Sequence, residues 1–486
     1  MSTNNIAQKI WSYCDTLRDD GLGYNDYLEQ LTYLLFLKMA DENKSKYNLP
    51  DICNWKELVV NSGGSLLEQY EQILKTLAET GGMLEKIFAS AQNKIHDSVK
   101  LKRLLQLIDE DNWSSTDSDV KGEIYETLLQ KNAENSGAGQ YFTPRPVIQA
   151  MVECINPIPE ETIADPSCGT GGFFLGALNY IRENNSLTKD QENFVKFQTF
   201  HGWEIEKATA RLCLMNLYLH GIGDLQKTPD IQVSDSLNPQ KVNMEVPKVK
   251  IVLANPPFGK SSSDIPTTDE NQAKKDGFFL RKDFWVTTSN KQLAFLQHIV
   301  SMLEENGRAA VVLPDNVLFE GGAGEIIRKK LLEETNLHTI LRLPTGIFYA
   351  QGVKSNVLFF EKKKQSEDIG TKDVWFYDYR TNIHHTPKNN QITFKHLSDF
   401  IENYKVGSEN EREESWSVNN LNGRWRKYPY KEIIERDKTN LDILWLKDDN
   451  LIDLDNLPDP EVLIDDIIEN IESALVNFRT IRESLN

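Results

Sequence analysis

The run Val249-Lys250-Ile251-Val252-Leu253-Ala254 stops at Pro256-Pro257. Apart from Lys250 it is apolar, so it reads as a strand buried in a sheet. Two successive prolines lack ladder donors and cannot prolong it. The chain must leave the sheet there, presenting Asn255 and Phe258 at a strand's carboxyl end. In open α/β sheets ligands bind at that edge. The residue types of Asn255-Pro256-Pro257-Phe258 suit a planar exocyclic amine. The Asn255 amide oxygen and a proline carbonyl are acceptors toward an NH2 group. Together they can hold the amine and aim its nitrogen lone pair at an electrophile. Phe258 can stack on the ring that carries it. The bland alternative for Pro-Pro alone is a plain strand-ending turn.

Beyond Gln140, strand and helix patterns alternate. Strands are expected near 161–165, 199–204, 230–234, 249–254, 308–313, 337–343 and 355–361. Such alternation argues a mostly parallel, doubly wound α/β sheet. In Gln140-Tyr141-Phe142-Thr143-Pro144-Arg145, Thr143 suits an N-cap and Pro144 a first helical residue, which predicts a helix start. Residues 1–134 read as a helical domain. Ile6, Ile10, Cys14 and Leu17 recur at helical spacing before Gly21, and further helices are expected over 27–39, 66–77, 101–108 and 122–131. The Gly-rich stretch 135–139 reads as a hinge opening a catalytic domain over 135–400. Residues 259–289 form a long polar connection, of a length that is uncommon unless functional or disordered. A variable region and linker over 401–458 precedes a last helix, 459–486. There Ile464, Ile468, Ile471, Leu475 and Phe478 form a seam at spacings of four and three. A stripe of this kind must be buried, which predicts docking on a partner, with an intramolecular strap as the alternative.

The net charge is −19 over 486 residues. That is awkward for a nucleic-acid enzyme, because phosphate neutralisation requires Lys and Arg. Basic residues must then be segregated, or a partner must supply most contacts. Arg424-Trp425-Arg426-Lys427-Tyr428, with Lys260, Lys274, Lys275, Arg281 and Lys282, are candidates for such contact, against the alternative of a solvated charged face. The five cysteines are scattered without CxxC spacing, pointing to a reducing cytoplasm and against structural zinc. The eight histidines show no HExxH pairing, so no metal is assigned. No run of about 18 apolar residues suggests a membrane span.

Three further segments carry chemistry. Asp165-Pro166-Ser167-Cys168-Gly169-Thr170-Gly171-Gly172 follows a predicted strand and opens a helix. Its glycines let the backbone approach a ligand, and the helix start offers free N–H groups. The spacing is not that of a dinucleotide fingerprint. Asp165 opposes a pyrophosphate but suits an ammonium, which favours a ligand with an amino-acid end. Glu204, at the next strand end, is placed for ribose hydroxyls, unless it only faces a helix dipole. Asp235, after the third strand, can accept from an adenine amino group, unless it is an ordinary turn residue. For either acid alone the bland reading wins. Their order, each at a strand end and followed by Asn255–Phe258, favours the joint reading.

With these motifs the chain resembles S-adenosylmethionine-dependent methyltransferases that make N6-methyladenine in DNA. More closely, it resembles the methylation subunit of type I restriction-modification systems. The resemblance covers nearly the whole chain. It implies a Rossmann-like catalytic domain between an N-terminal helical domain and a C-terminal helical tail. It implies S-adenosylmethionine as cofactor, bound by Gln140, Tyr141, Phe142, Thr143, Asp165, Ser167, Gly169, Thr170, Gly171, Gly172, Glu204 and Asp235. Members differ in the order of the two aromatics before the Thr, so Tyr141 and Phe142 are not assigned separate roles. Asn255, Pro256, Pro257 and Phe258 would grip a target adenine that must leave the base stack to react. Implied partners are DNA, a specificity subunit, a second methylation subunit and a restriction subunit. Rival readings are a methyltransferase acting on RNA or a protein glutamine, and a catalytically idle scaffold.

Overall fold

The computed structural model describes residues 24–42, 49–110, 142–238, 245–261, 264–275, 277–348, 354–364, 369–386 and 390–448. The expected helices over 6–17, 122–131 and 459–486, the hinge 135–139, and Gln140 and Tyr141 lie outside the described residues. The chain divides into two compact units, Met1–Gly139 with Ile158–Ser236, and Gln140–Pro157 with Leu237–Asn486.

The first unit begins with α1 (Tyr24–Glu42), α2 (Trp55–Val60), α3 (Gly64–Glu79), α4 (Gly82–Phe88) and α5 (Ser98–Asp109). Two of these helices are capped as their sequences dictate. Asn54 accepts from the N–H groups of Lys56 and Glu57, and Asp97 from those of Val99 and Lys100. Along α3, Leu66, Tyr70, Ile73, Leu74 and Leu77 are buried at three- and four-residue steps. The next helix, α6 (Arg145–Ile155), belongs to the second unit. The first unit resumes with β1 (Ile163–Asp165), α7 (Gly172–Asn184), α8 (Lys189–Phe197), β2 (Phe200–Trp203), α9 (Lys207–Leu219) and β3 (Asp230–Gln232). Its strands run in the order β1-β2-β3 and all pair in parallel, with Asp165 level with Gly202 and Trp203 level with Gln232. Their carboxyl ends therefore share one rim. The helical region packs on α9: Arg211 donates to the Tyr33 hydroxyl at 2.7 Å and pairs with Glu29 at 2.9 Å.

The second unit adds β4 (Val249–Ala254), β5 (Ile265–Thr267), β6 (Phe278–Leu280), α10 (Lys291–Met302), β7 (Leu303–Pro314), α11 (Asn316–Phe319), α12 (Ala323–Glu334), β8 (Thr335–Leu343), β9 (Ser355–Lys362), β10 (Asp373–Asp378), α13 (Ser398–Tyr404), β11 (Trp425–Pro429) and α14 (Tyr430–Glu435). The main strands lie in the order β11-β10-β8-β9-β7-β4. β4 and β7 are parallel, as are β8 and β10, but β9 runs antiparallel to both β7 and β8, and β11 antiparallel to β10. This part is thus a mixed sheet rather than a mostly parallel one. The reason is that β9 follows β8 after a connection shorter than the dozen or more residues a parallel crossover needs, so it pairs antiparallel to β8. The polar connection 259–289 has structure of its own, in the small parallel pair β5–β6.

Candidate functional site

In the first unit, β1 ends at Asp165 and the chain turns through the glycine loop into α7. Gly169 and Gly171 both have positive φ, +53° and +86°. A Cβ on Gly171 would stand 3.0 Å from the Cys213 sulfur, so strain and space both demand glycine there. The loop is anchored from four sides. The Ser167 N–H donates to Asp165 Oδ1 at 2.9 Å, and the Cys168 N–H to the Trp203 carbonyl at 2.9 Å. Asn216 of α9 donates to the Thr170 carbonyl at 2.9 Å, and the buried Ser236 hydroxyl to the Pro166 carbonyl at 2.8 Å. The last contact ties the segment holding Asp235, itself half-buried, to the loop.

Glu204 follows β2 directly. Its Oε2 accepts from the Gly169 N–H at 3.1 Å and its Oε1 from the Glu206 N–H at 2.8 Å. The capping of α9 belongs to Glu206, which accepts from Ala208. Glu204 thus bridges the glycine loop and the start of α9. Burial raises its carboxyl above the usual range, opposed by the N–H groups of Glu206, Gly169 and Ile205. Asp165 is 2% exposed. Burial pushes it up to about 8, against the Ser167 N–H and with Glu204 adding to the rise. Two desolvated carboxyl groups thus face one loop. Contact with Cys213 and burial raise the Cys168 thiol well above its ordinary value, so Cys168 packs rather than reacts. Ile205 and Val233, each beside a strand end, are apolar yet 71% and 48% exposed. The sequence reading passed over them. Their signal was an apolar residue directly after Glu204, and another two residues before Asp235.

In the second unit, Ala254 lies level with Val311 of β7, and Asn255 leaves the sheet beyond it. Asn255 and Pro256 are buried, whereas Pro257 and Phe258 are half-buried. Asn255 Nδ2 donates to the Thr143 hydroxyl at 2.9 Å. This corrects the capping expectation. α6 starts at Arg145 with Pro144 as its cap residue and no side-chain cap bond, while the N–H groups of Val147 and Ile148 go to the Pro144 carbonyl. Phe142 is half-buried beside Thr143.

The turn after Phe258 is held by residues the sequence did not reveal. Gly259 has φ +109°. The buried Gln292 of α10 clamps it, with its amide turned to accept from the Gly259 N–H at 2.7 Å and donate to its carbonyl at 3.3 Å. The Lys291 N–H donates to the same carbonyl at 3.0 Å. Arg380 makes a two-pronged ion pair with Asp315, both contacts at 2.7 Å, and donates to the carbonyls of Leu343 and Ser355. It thereby ties together the ends of β7 and β8 and the start of β9.

The basic candidates separate. Arg281 is 2% exposed, paired with Asp283 and donating to the Leu237 carbonyl at 2.7 Å, so it is a structural anchor rather than a surface contact. Trp425 and Tyr428 are core residues of β11, and Arg424 donates to the carbonyls of Asp378 and Thr381. Arg426 lies 3.9 Å over the Trp416 ring. Lys260, Lys274, Lys275, Lys282 and Lys427 are exposed. Among the described residues no group of three or more His, Cys, Asp or Glu could hold a metal ion, and no helix is long and apolar enough to cross a membrane.

One unit carries a glycine loop and two acids at parallel strand ends, and the other carries Asn-Pro-Pro-Phe at the end of a strand, the motif set of a methyltransferase acting on an amino group. Residues 116–437 match the family described as N-6 DNA Methylase, and residues 6–110 match the HsdM N-terminal domain. The chain belongs to the N-6 DNA methylases and is an adenine-specific DNA methyltransferase. Within them it belongs to the methylase subunits of type I restriction enzymes. It is 38% identical to the StySJI methylase subunit of Salmonella typhimurium, over 98% of this chain and 94% of that protein. It is likewise 38% identical to the EcoKI methylase subunit of Escherichia coli K12, over 100% and 96%. A solved structure from work on complex assembly and conformational transition of the type I R-M system superposes with a TM-score of 0.72. It shares 25% identity and covers 100% of this chain and 99% of the other.

Proposed function

We propose that this methylase subunit transfers a methyl group from S-adenosylmethionine to N6 of an adenine flipped out of DNA. The observation that carries the reading is the acidic glycine loop, where Glu204 accepts from the Gly169 N–H and burial raises the carboxyl of Asp165. The donor set fits this cofactor. Asp165 suits its ammonium, Glu204 its ribose hydroxyls and Asp235 its adenine amine. Ser167, Gly169, Thr170, Gly171 and Gly172 bring the backbone close, while Gln140, Tyr141, Phe142 and Thr143 are assigned to its methionine end by the family motif. The same acids would repel a pyrophosphate. When bound, the cofactor supplies an electrophilic methyl group.

The chain's own residues do the rest. Asn255 and the carbonyl of Pro256 or Pro257 accept from the adenine amine and fix its lone-pair direction, and Phe258 stacks on the base. Positioning of this kind removes much of the entropic barrier. The net charge of −19 supports a division of labour in which a specificity subunit supplies most DNA contact, two methylation subunits assemble with it, and a restriction subunit joins them. Residues 459–486 are the proposed docking helix beyond the linker 401–458, residues 1–134 the helical domain before the catalytic 135–400, and the cytoplasm the proposed location. The test is tritiated-methyl transfer to DNA by the chain with and without a co-expressed specificity subunit. Adenine labelling only with the partner is expected. Labelling of RNA or protein instead of DNA would overturn the reading.

A further inference from the structure

We infer that Thr143 is a positioning residue for methyl transfer, acting through Asn255 by holding its side-chain amide in place toward the target amine. The inference rests on the reading of Asn255 as the acceptor for that amine, and it gives Thr143 a task distinct from covering the cofactor.

Thr143 and Asn255 are 6% and 8% exposed, lie in the same compact unit and meet at 2.9 Å across 112 positions of sequence. The contact is not a by-product of helix capping, because α6 has no side-chain cap bond and its first-turn N–H groups reach the Pro144 carbonyl. The hydroxyl is thus directed away from its own helix.

Asparagine needs such a partner here. Its amide has an acceptor end and a donor end of nearly equal size, and the torsion that exchanges them is broad and roughly two-fold. An NH2 group turned toward the adenine amine would set donor against donor. Asn255 Nδ2 donates to Thr143 Oγ1, which fixes one end of the amide and leaves the carbonyl oxygen turned away from Thr143. The Thr-Pro dipeptide suits the task. A residue before proline is held extended, and a β-branched side chain is stiff at χ1, so the hydroxyl direction is largely preset.

The test uses the methylase subunit assembled with its co-expressed specificity subunit. Thr143→Val keeps the shape and removes the oxygen. The expected result is kcat for adenine methylation, read at saturating S-adenosylmethionine, lowered roughly five- to tenfold, the scale of one neutral hydrogen bond, whatever change in cofactor affinity calorimetry records. Thr143→Ser should restore most of kcat. Thr143→Ser and Thr143→Ala differ only in the hydroxyl, so they decide the matter even where the Val variant perturbs the fold. If the Val variant weakens cofactor affinity and leaves saturated kcat unchanged, Thr143 only covers the cofactor and the inference is overturned. Equal kcat in the Ser and Ala variants overturns it too. Failure of the site reading is recognised separately: wild type would not label adenine, or Asn255→Ala would still transfer methyl.

Discussion

Asp165→Asn should make the cofactor-free protein more stable and the cofactor-bound protein worse. In the fold the Asp165 carboxyl is pushed from 3.8 to about 8, chiefly by burial. Between those values the folded chain retains a proton that the unfolded chain has released. Stability therefore falls as pH rises through that window and levels off above about 8. At pH 7 the penalty spans about three pH units, roughly 4 kcal/mol at about 1.4 kcal/mol per unit, and at pH 5 roughly 2 kcal/mol. An amide does not titrate, and its oxygen can still accept from the Ser167 N–H at the 2.9 Å position. The variant should gain stability by those amounts. At about 2.1 cal/mol/K per residue a chain of 486 residues shifts on the order of 1 °C per kcal/mol, so its melting point should rise on the order of 4 °C at pH 7 and about half that at pH 5.

The assay is thermal melting of both proteins from pH 5 to 8.5 without ligand, then calorimetric titration with S-adenosylmethionine. A ligand ammonium beside Asp165 would draw its carboxyl back to the charged form, so binding releases a proton. Wild-type affinity should climb toward pH 8 and decline above it, because an α-ammonium loses its own proton near about 8. The Asn variant should bind more weakly and show only the decline. A melting difference that does not grow with pH would refute the buried, uncompensated carboxyl. A climb in affinity that survives the substitution would refute its pairing with the ligand.

Asn255→Ala should abolish methyl transfer while leaving S-adenosylmethionine affinity near wild type; transfer above a few per cent in the tritium assay would remove Asn255 from the reaction. Glu204→Ala should weaken cofactor binding by roughly 1–3 kcal/mol in calorimetry, the scale of a hydrogen bond to a charged group, and an unchanged dissociation constant would leave Glu204 only as the anchor of Gly169. Gln292→Leu should lower stability by roughly 0.5–1.5 kcal/mol, the net worth of a hydrogen bond, by removing the clamp on Gly259; a urea midpoint equal to wild type would show that the clamp is not made. Deleting 459–486 should spare cofactor affinity yet abolish co-purification with a specificity subunit, whereas precipitation or lost cofactor binding would favour an intramolecular strap.

What was legible from sequence depended on how local the physics is. β4 could be read from Val249–Ala254 because burial writes a continuous apolar run and Pro256-Pro257 ends it. β8 and β9 were found for the same reason, but the antiparallel course of β9 was not, since a strand buried on both faces has the same composition in either direction. β5 and β6 have three residues each, with Pro266 inside β5, too short to show a period. β11 shows its limit differently. Trp425 and Tyr428 are buried three positions apart, breaking the two-residue alternation of a strand, so the aromatics read as part of a basic surface run. The site divides along the same line. The glycine loop, Glu204 and Asn255 each stand where a strand ends, and strand ends are marked by neighbours in sequence. Arg281 looked free because its partners include Leu237, 44 positions away, and Thr143 looked like a cap because Asn255 is 112 away. Local propensity proposes a use for each polar side chain, and the fold then chooses among all acceptors within reach. Thr143 shows that the choice can matter for chemistry: had its hydroxyl turned toward α6 as a cap, it would not hold the amide of Asn255.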